Sequence, residues 1–323
     1  MSYEQFCTTL CSTLTALTAP GITVTPKQIP KNNGVFLDAL WLRREKAACS
    51  PIVYLKPLYQ EYCQGKSVDA LSLEILRGIR RDRPFSLTLP DLLIDLESAK
   101  EYITFRLISR TLNEPFLDGL PWFPFLDLAI VFYLQLPADS GGITSVCINK
   151  SLLELWSLTP DVLRRIAFQN TPRLLLPCLV PLEDMLRESL ENGSTGQNAP
   201  SRSDFPAPVP PSLYILTNRQ AAFGAACLLY DGLIKKFAGQ MLSDVLILPS
   251  SIHEVLLLPR TAAISVTELR QTVKQVNETM VDRQELLSGE VYLYEQKTDR
   301  FTLCPPDSPS WHDTPETDGK MNP

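Results

Sequence analysis

Val245-Leu-Ile-Leu-Pro-Ser-Ser-Ile-His-Glu-Val-Leu-Leu-Leu258 reads as two apolar runs around a polar turn. Residues 245–248 and 253–258 have the length and branching of buried strands, and Pro249-Ser-Ser251 joins them. The hairpin is flanked by single helices. A helix is expected from about 231 to 241. On the other side, Ser265 and Glu268 form a capping box ahead of a stripe of Val266, Leu269, Val273, Val276 and Met280. Further hairpins are expected at 213–217 with 223–229, around Asn218-Arg-Gln220, and at 290–296 with 300–304. A doubly wound parallel sheet would need regular strand–helix alternation. Hairpins separated by single helices predict an α+β fold, mostly antiparallel.

The first half of the chain follows the same grammar. Ser2 and Gln5 cap a helix over 2–18 with Phe6, Leu10, Leu14 and Leu17 on one stripe. Strands are expected at 34–44 and 51–55, and a Ser67-capped helix carries Val68, Leu71, Ile75, Leu76 and Ile79. Residues 90–113 fit either element: Leu92, Leu93 and Leu96 suit a helix, while Ile103, Phe105 and Leu107 alternate like a strand. A buried strand at 125–136 turns through 137–142 into a partner at 143–148. A short helix near 151–156 follows. Thr159 then caps a helix with Pro160 at its first position, expected to stop near Asn170-Thr-Pro172. Residues 191–212 hold Asn, Gly and Ser and then five prolines. They read as a flexible linker between an N-terminal α+β region, 1–190, and a C-terminal one, 213–304. The polar, Pro-rich stretch 305–323 reads as a disordered tail.

Composition narrows the function classes. The 323 residues are 45% hydrophobic and 20% charged, with a formal net charge of −6. That balance lacks the footprint of a general nucleic-acid binder, so no nucleic-acid partner is expected. The basic cluster Arg77, Arg80, Arg81 and Arg83 ends a predicted helix. It fits a solvated helix terminus, or a small anion or acidic-partner site. The longest wholly apolar run is Leu128 to Leu134, far short of the roughly 20 residues a bilayer span needs. No membrane partner and no secretory signal are expected, and a cytoplasmic location follows. The eight cysteines form no CxxC pair, so neither a zinc site nor another metal centre is expected, and reduced thiols fit better.

The common cofactor fingerprints GxGxxG and GxxxxGK[ST] are absent, as is the GxSxG elbow, so no cofactor is expected. His253-Glu254 begins like HExxH, but Leu257 stands where the second metal ligand would be. His253 and His312 are the two histidines, which makes His253 the one imidazole of the predicted folded body. The candidate catalytic residues are therefore Ser250, Ser251, His253 and Glu254. On an extended chain Ser251 and His253 share one face, and Ser250 and Glu254 share the other. Side chains two residues apart run parallel, which is poor geometry for a nucleophile and its base. The structural reading has the serines bonding turn amides and His253 bonding a neighbouring carbonyl. Asp127, inside an apolar strand, needs a partner if buried, and Arg106 or Arg110 could supply one.

Several stretches together resemble a bacterial family of unknown function associated with gut-dwelling Gram-positive anaerobes. They are Tyr214-Ile-Leu-Thr-Asn218, Gly224-Ala-Ala-Cys-Leu-Leu-Tyr230, Ile247-Leu-Pro-Ser-Ser-Ile-His-Glu-Val255 and Val276-Asn-Glu-Thr279. Asp127-Leu-Ala-Ile-Val131, Ile148-Asn-Lys-Ser-Leu-Leu-Glu-Leu-Trp156 and Ala167-Phe-Gln-Asn-Thr-Pro172 fit as well. The resemblance covers most of residues 20–300 and implies a bacterial cytoplasmic protein without supplying an activity. Two functions stay open. One is a non-enzymatic protein that binds a protein or peptide partner. The other is a small hydrolase or transferase using the Ser/His/Glu cluster at 250–254.

A cytoplasmic protein should carry reduced thiols. Mass spectrometry of protein alkylated without reduction should find all eight cysteines modified. A native disulfide would overturn the compartment assignment.

Overall fold

The computed structural model describes residues 1–44, 52–81, 93, 95–136, 144–191, 213–260 and 265–305. In chain order the first elements are α1 (Tyr3–Leu17), β1 (Ile22–Pro30), β2 (Phe36–Arg44), β3 (Ile52–Tyr54), α2 (Leu55–Cys63) and α3 (Val68–Arg81). One-turn helix α4 (Leu96–Ala99) precedes β4 (Ile103–Ser109), and one-turn helix α5 (Glu114–Leu117) precedes β5 (Trp122–Phe125), β6 (Leu128–Leu136) and β7 (Thr144–Cys147). Then come α6 (Lys150–Leu155), α7 (Pro160–Leu174), β8 (Pro177–Pro181), α8 (Leu182–Glu191), β9 (Tyr214–Asn218) and α9 (Leu233–Met241). The chain closes with β10 (Val245–Leu248), β11 (Val255–Pro259), α10 (Val266–Thr279), β12 (Tyr292–Glu295) and β13 (Arg300–Leu303). This is an α+β fold of antiparallel hairpins.

The chain divides into two compact units. One comprises Met1–Thr104, Thr111–Trp122 and Phe132–Ala167; the other takes Phe105–Arg110, Phe123–Val131 and the chain from Phe168 on. In the first unit, α1 opens with the capping box foreseen from sequence. Gln5 donates its amide to Ser2 Oγ at 3.3 Å, and Ser2 donates its own to Gln5 Oε1 at 3.1 Å. Phe6, Leu10 and Leu14 are fully buried against Leu40, Leu42, Leu55 and Leu71. Each such side chain contributes about 1.5–3 kcal/mol of burial. Leu17, the fourth residue of the expected stripe, is 45% exposed because α1 ends there. The antiparallel meander β1-β2-β3 lies under this helical layer, with Ile22 opposite Arg44 and Pro30 opposite Phe36.

The second unit contains a six-stranded sheet of order β13-β12-β10-β11-β9-β8 with antiparallel neighbours. Its centre, Val245, Leu246 and Ile247, is fully buried. The hairpin expected over 245–258 is this centre, with Leu248 opposite Leu256. On α10, Val266 and Val273 are buried while Met280 is 81% exposed, since the helix stops at Thr279. Another sheet has the order β4-β6-β5, with β7 also antiparallel to β6.

Three expectations are corrected and one left open is resolved. Residues 223–229 are not a strand: Gly224–Leu229 is a buried 3-10 segment. A short apolar run has no periodicity that separates the two. The helix beginning at Pro160 does not stop at 170–172 but continues to Leu174 with Pro172 in its last turn. A proline that close to the end removes one hydrogen bond, and the Leu175 amide still reaches the Thr171 carbonyl at 2.8 Å. Within 90–113 the described residues hold both alternatives in succession, α4 and then β4, while 90–92 and 94 lie outside them. Finally, the division of the chain differs from the one expected at 191–212. β8 pairs with β9 from Pro177↔Asn218 to Pro181↔Tyr214, so strands on either side of that stretch share a sheet. Lengthening a connection is inexpensive, at about 0.6 kcal/mol per doubling. The stretch itself lies outside the described residues from 192 to 212, as do the turn at 137–142 and the tail from 306.

Leu10→Ala should cost about 2–5 kcal/mol in chemical denaturation, the range for emptying a filled core site. Leu17→Ala, at the exposed end of the same stripe, should change stability by no more than about 0.5 kcal/mol.

Candidate functional site

The turn after β10 is fastened along its length by residues 285–288. Ser288 donates its amide to the Pro249 carbonyl at 2.9 Å and Leu287 to Ser250 at 3.0 Å, while Ile252 donates to Glu285 at 2.8 Å. Ser251 is bridged to Leu286 and is buried. The site is therefore built on paired backbone.

His253 sits where this turn meets the end of β9 and the 3-10 segment. Its carbonyl accepts the Gly224 amide at 2.9 Å and the Thr217 hydroxyl at 2.8 Å. Such closeness requires glycine at 224: a Cβ there would lie 2.3 Å from Thr217 Oγ1 and 2.4 Å from the His253 carbonyl oxygen. Phe223, just before it, takes a left-handed φ of 56° and donates its amide to His253 Nδ1 at 3.2 Å. An imidazole nitrogen that accepts an N–H carries no proton, so the geometry assigns the neutral ring's proton to Nε2. His253 Nε2 stands 3.6 Å from Glu285 Oε1, beyond hydrogen-bonding distance.

The four sequence candidates are brought near one another but not into a relay. Ser251 Oγ accepts from the backbone amide of His253 at 3.0 Å, a local turn bond, and not from the ring. The expected backbone bond of His253 exists with reversed polarity, since the ring accepts from an amide. Ser250 is half-buried, and its carbonyl serves the 285–288 pairing. Desolvation pushes the Glu254 carboxyl up; the neighbouring His253 pulls it down and Glu285 pushes it up again. The chemistry this arrangement can support is electrostatic, a carboxylate pair beside an imidazole. Among the described residues no group of three His, Cys, Asp or Glu is placed to hold a metal, and no helix is long and apolar enough to cross a membrane.

Asp127 and Arg106 correct another expectation. Asp127 accepts from Ser288 Oγ at 2.6 Å and from the Tyr292 hydroxyl at 2.5 Å. Burial, and then Asp127 itself, pushes the Tyr292 phenol above its ordinary range. Two hydroxyl donors satisfy a carboxylate without the desolvation cost of burying a second charge. Arg106 is buried with its guanidinium 3.6 Å from the centroid of Phe223. That ring also meets His253, at a centroid separation of 5.3 Å.

Two features in the first unit escaped the sequence reading. A groove of about 370 Å³ is lined in part by Tyr3, Cys7, Pro26 and Asp38. Its polar wall is Asp38, which accepts from Tyr3 at 3.1 Å and Gln28 at 3.3 Å. Desolvation pushes the Cys7 thiol up, away from thiolate character. The other is the outer face of β1-β2-β3. Lys27 Nζ lies 4.1 Å and Arg43 Cζ 5.6 Å from the Trp41 ring centroid, and Lys31 Nζ lies 4.6 Å from that of Tyr54. The signal was present in the alternation of Ile22-Thr-Val-Thr25. Pro26 and Pro30 hid it, because proline is compatible with a strand only at an edge, and β1 is an edge.

The fold and surfaces define an antiparallel α+β protein with a braced polar turn and a cationic sheet face. A family of unknown function (DUF5688) matches residues 3–296, and the chain belongs to that family. No curated protein and no solved structure matches it.

Three variants probe the turn. Gly224→Ala should destabilise by about 3 kcal/mol or more in denaturant titrations, because its Cβ meets backbone that cannot yield. His253→Ala and Ser251→Ala should each cost about 1–3 kcal/mol, since each strands a backbone amide; unchanged melting for both would reject the structural role. The raised Glu254 pKa lies above the unfolded value of about 4.3, so the native state keeps that proton longer. Stability from this group is present at low pH and falls as pH rises through the window between the two values. Glu254→Gln should therefore melt above wild type at neutral pH, and the gain should vanish below about pH 4 in thermal melts.

Proposed function

We propose that this is a non-enzymatic protein of the bacterial cytoplasm that binds a protein or peptide partner. The observation that carries the reading is the outer face of β1-β2-β3, where Lys27, Lys31 and Arg43 lie over Trp41 and Tyr54. Aromatic and arginine side chains supply much of the energy of protein interfaces. The polar turn supports the same reading: Ser251 Oγ and His253 Nδ1 both accept backbone amides, which removes a nucleophile–base pair from the resting geometry. One observation favours the alternative, a small hydrolase or transferase at 250–254. Glu254, with its raised carboxyl, stands with Glu285 beside an imidazole, an environment suited to acid–base work.

The two readings separate by active-site labelling. Incubation with a fluorophosphonate, under conditions that label a known serine hydrolase to completion, should leave Ser250 and Ser251 unmodified in peptide mass spectra. A stoichiometric adduct at either serine, abolished by His253→Ala in a variant that still folds, would establish the enzyme instead.

A further inference from the structure

We infer that the outer face of β1-β2-β3 binds an extended acidic segment, rich in Asp and Glu, of a protein partner; this rests on the binding reading above. Successive residues of a strand alternate between faces. The antiparallel register therefore places residues 23, 25, 27 and 29 of β1 on one face with 37, 39, 41 and 43 of β2 and with 52 and 54 of β3. Lys27 and Arg43 stand on that face and both approach the single indole of Trp41. Lys31 continues the same parity in extended backbone, φ −120° and ψ 178°, and reaches Tyr54. None of those ten face positions is Asp or Glu, although the chain carries 36 acidic residues against 30 basic ones. Asp38, the one acidic residue of these three strands, points to the opposite side, where it accepts from Tyr3.

Exposed neighbours across a sheet are stabilised by opposite charges and destabilised by like ones. Here two cations share one ring, and none of the ten described face positions supplies a counter-charge. The indole offsets part of that repulsion through its quadrupole, and a carboxylate from outside offsets the rest. Lys27 and Arg43 are exposed, as is Ile52 opposite Trp41, so the face offers charge and apolar contact together. Lys27 and Lys31 are four residues apart on extended chain, about 13 Å. An extended segment with carboxylates at positions i and i+4 has the same spacing. Pro26 and Pro30 lack amide donors on the edge strand, so such a segment lies across the face and does not extend the sheet.

The aromatic rings decide between an acidic peptide and a single-stranded nucleic acid, the other anionic polymer such a face could attract. Base stacking needs an open ring. Lys27 and Lys31 already stand at 4.1 and 4.6 Å over the two rings, and a base would have to displace them. Carboxylates pair with the ammonium groups where they are.

The test is fluorescence anisotropy of the full chain with fluorescein-labelled deca-glutamate, at about 0.05 M and about 0.5 M salt, with labelled oligothymidylate in parallel. Deca-glutamate should bind at low salt and weaken as salt rises. Lys27→Glu/Arg43→Glu should weaken it at least tenfold, about 1.4 kcal/mol. If the double charge reversal melts early, Lys27→Gln/Lys31→Gln/Arg43→Gln takes its place. Lys274→Glu on α10, in the other unit, should leave binding unchanged. Three results overturn the inference: no deca-glutamate binding at low salt, binding that survives the face variants, or oligothymidylate bound more tightly than deca-glutamate. A partner retained equally by wild type and by the face variants would refute this surface while leaving the binding reading standing. A serine adduct from the labelling experiment would refute the binding reading itself.

Discussion

The carbonyl oxygen of His253 receives two hydrogen bonds, from the Gly224 amide and the Thr217 hydroxyl. Much of the second unit depends on that point. It ties the end of β9, the start of the 3-10 segment and the turn leaving β10 into one joint. The joint closes because residue 224 has no Cβ, since any side chain would overlap Thr217 and the carbonyl itself. The imidazole then caps the Phe223 amide, whose left-handed backbone leaves that donor facing away from regular pairing. A buried amide without a partner costs as much as a lost hydrogen bond. The one histidine of the described fold is thus held by backbone need before any chemistry is considered.

The same economy of partners runs through other polar groups of the second unit. Asp127, which interrupts an apolar stretch, is met by the hydroxyls of Ser288 and Tyr292. Asn218, fully buried, donates to the Ala222 carbonyl and accepts the Gln220 amide, closing the turn that leads into the 3-10 segment. These bonds add little net energy each, about 0.5–1.5 kcal/mol. They matter because they leave one way of assembling the turns.

In the first unit the constraint is different. The helical layer over β1-β2-β3 is apolar and built on Phe6, Leu10 and Leu14. The opposite side of the same sheet carries cations seated on aromatic rings. On that side Lys27, Arg43 and Ile52 are exposed, within reach of water or a partner. Lysine and arginine lie over Trp41 and Tyr54, and the same side chains give this face a positive charge while the chain as a whole is acidic.

Local chemistry was legible in the sequence. The Ser2 and Ser265 caps, the Phe6–Leu14 stripe, the hairpin at 245–258 and the antiparallel class follow from spacing and residue type, because capping and side-chain period act over a few residues. The candidate turn could be located the same way, from polar residues set against an apolar strand. What Ser251 and His253 do there could not, since their partners lie outside the turn, at Phe223, Thr217 and residues 285–288. Nor could β1 be seen past its prolines, or the Lys27–Trp41 contact, which joins two strands through their register. The sequence by itself determined where strands, caps and turns would form. Only the tertiary structure decided that Gly224 begins a 3-10 turn, that β8 crosses to β9, and which polar groups meet, because those outcomes rest on contacts between residues far apart in the chain.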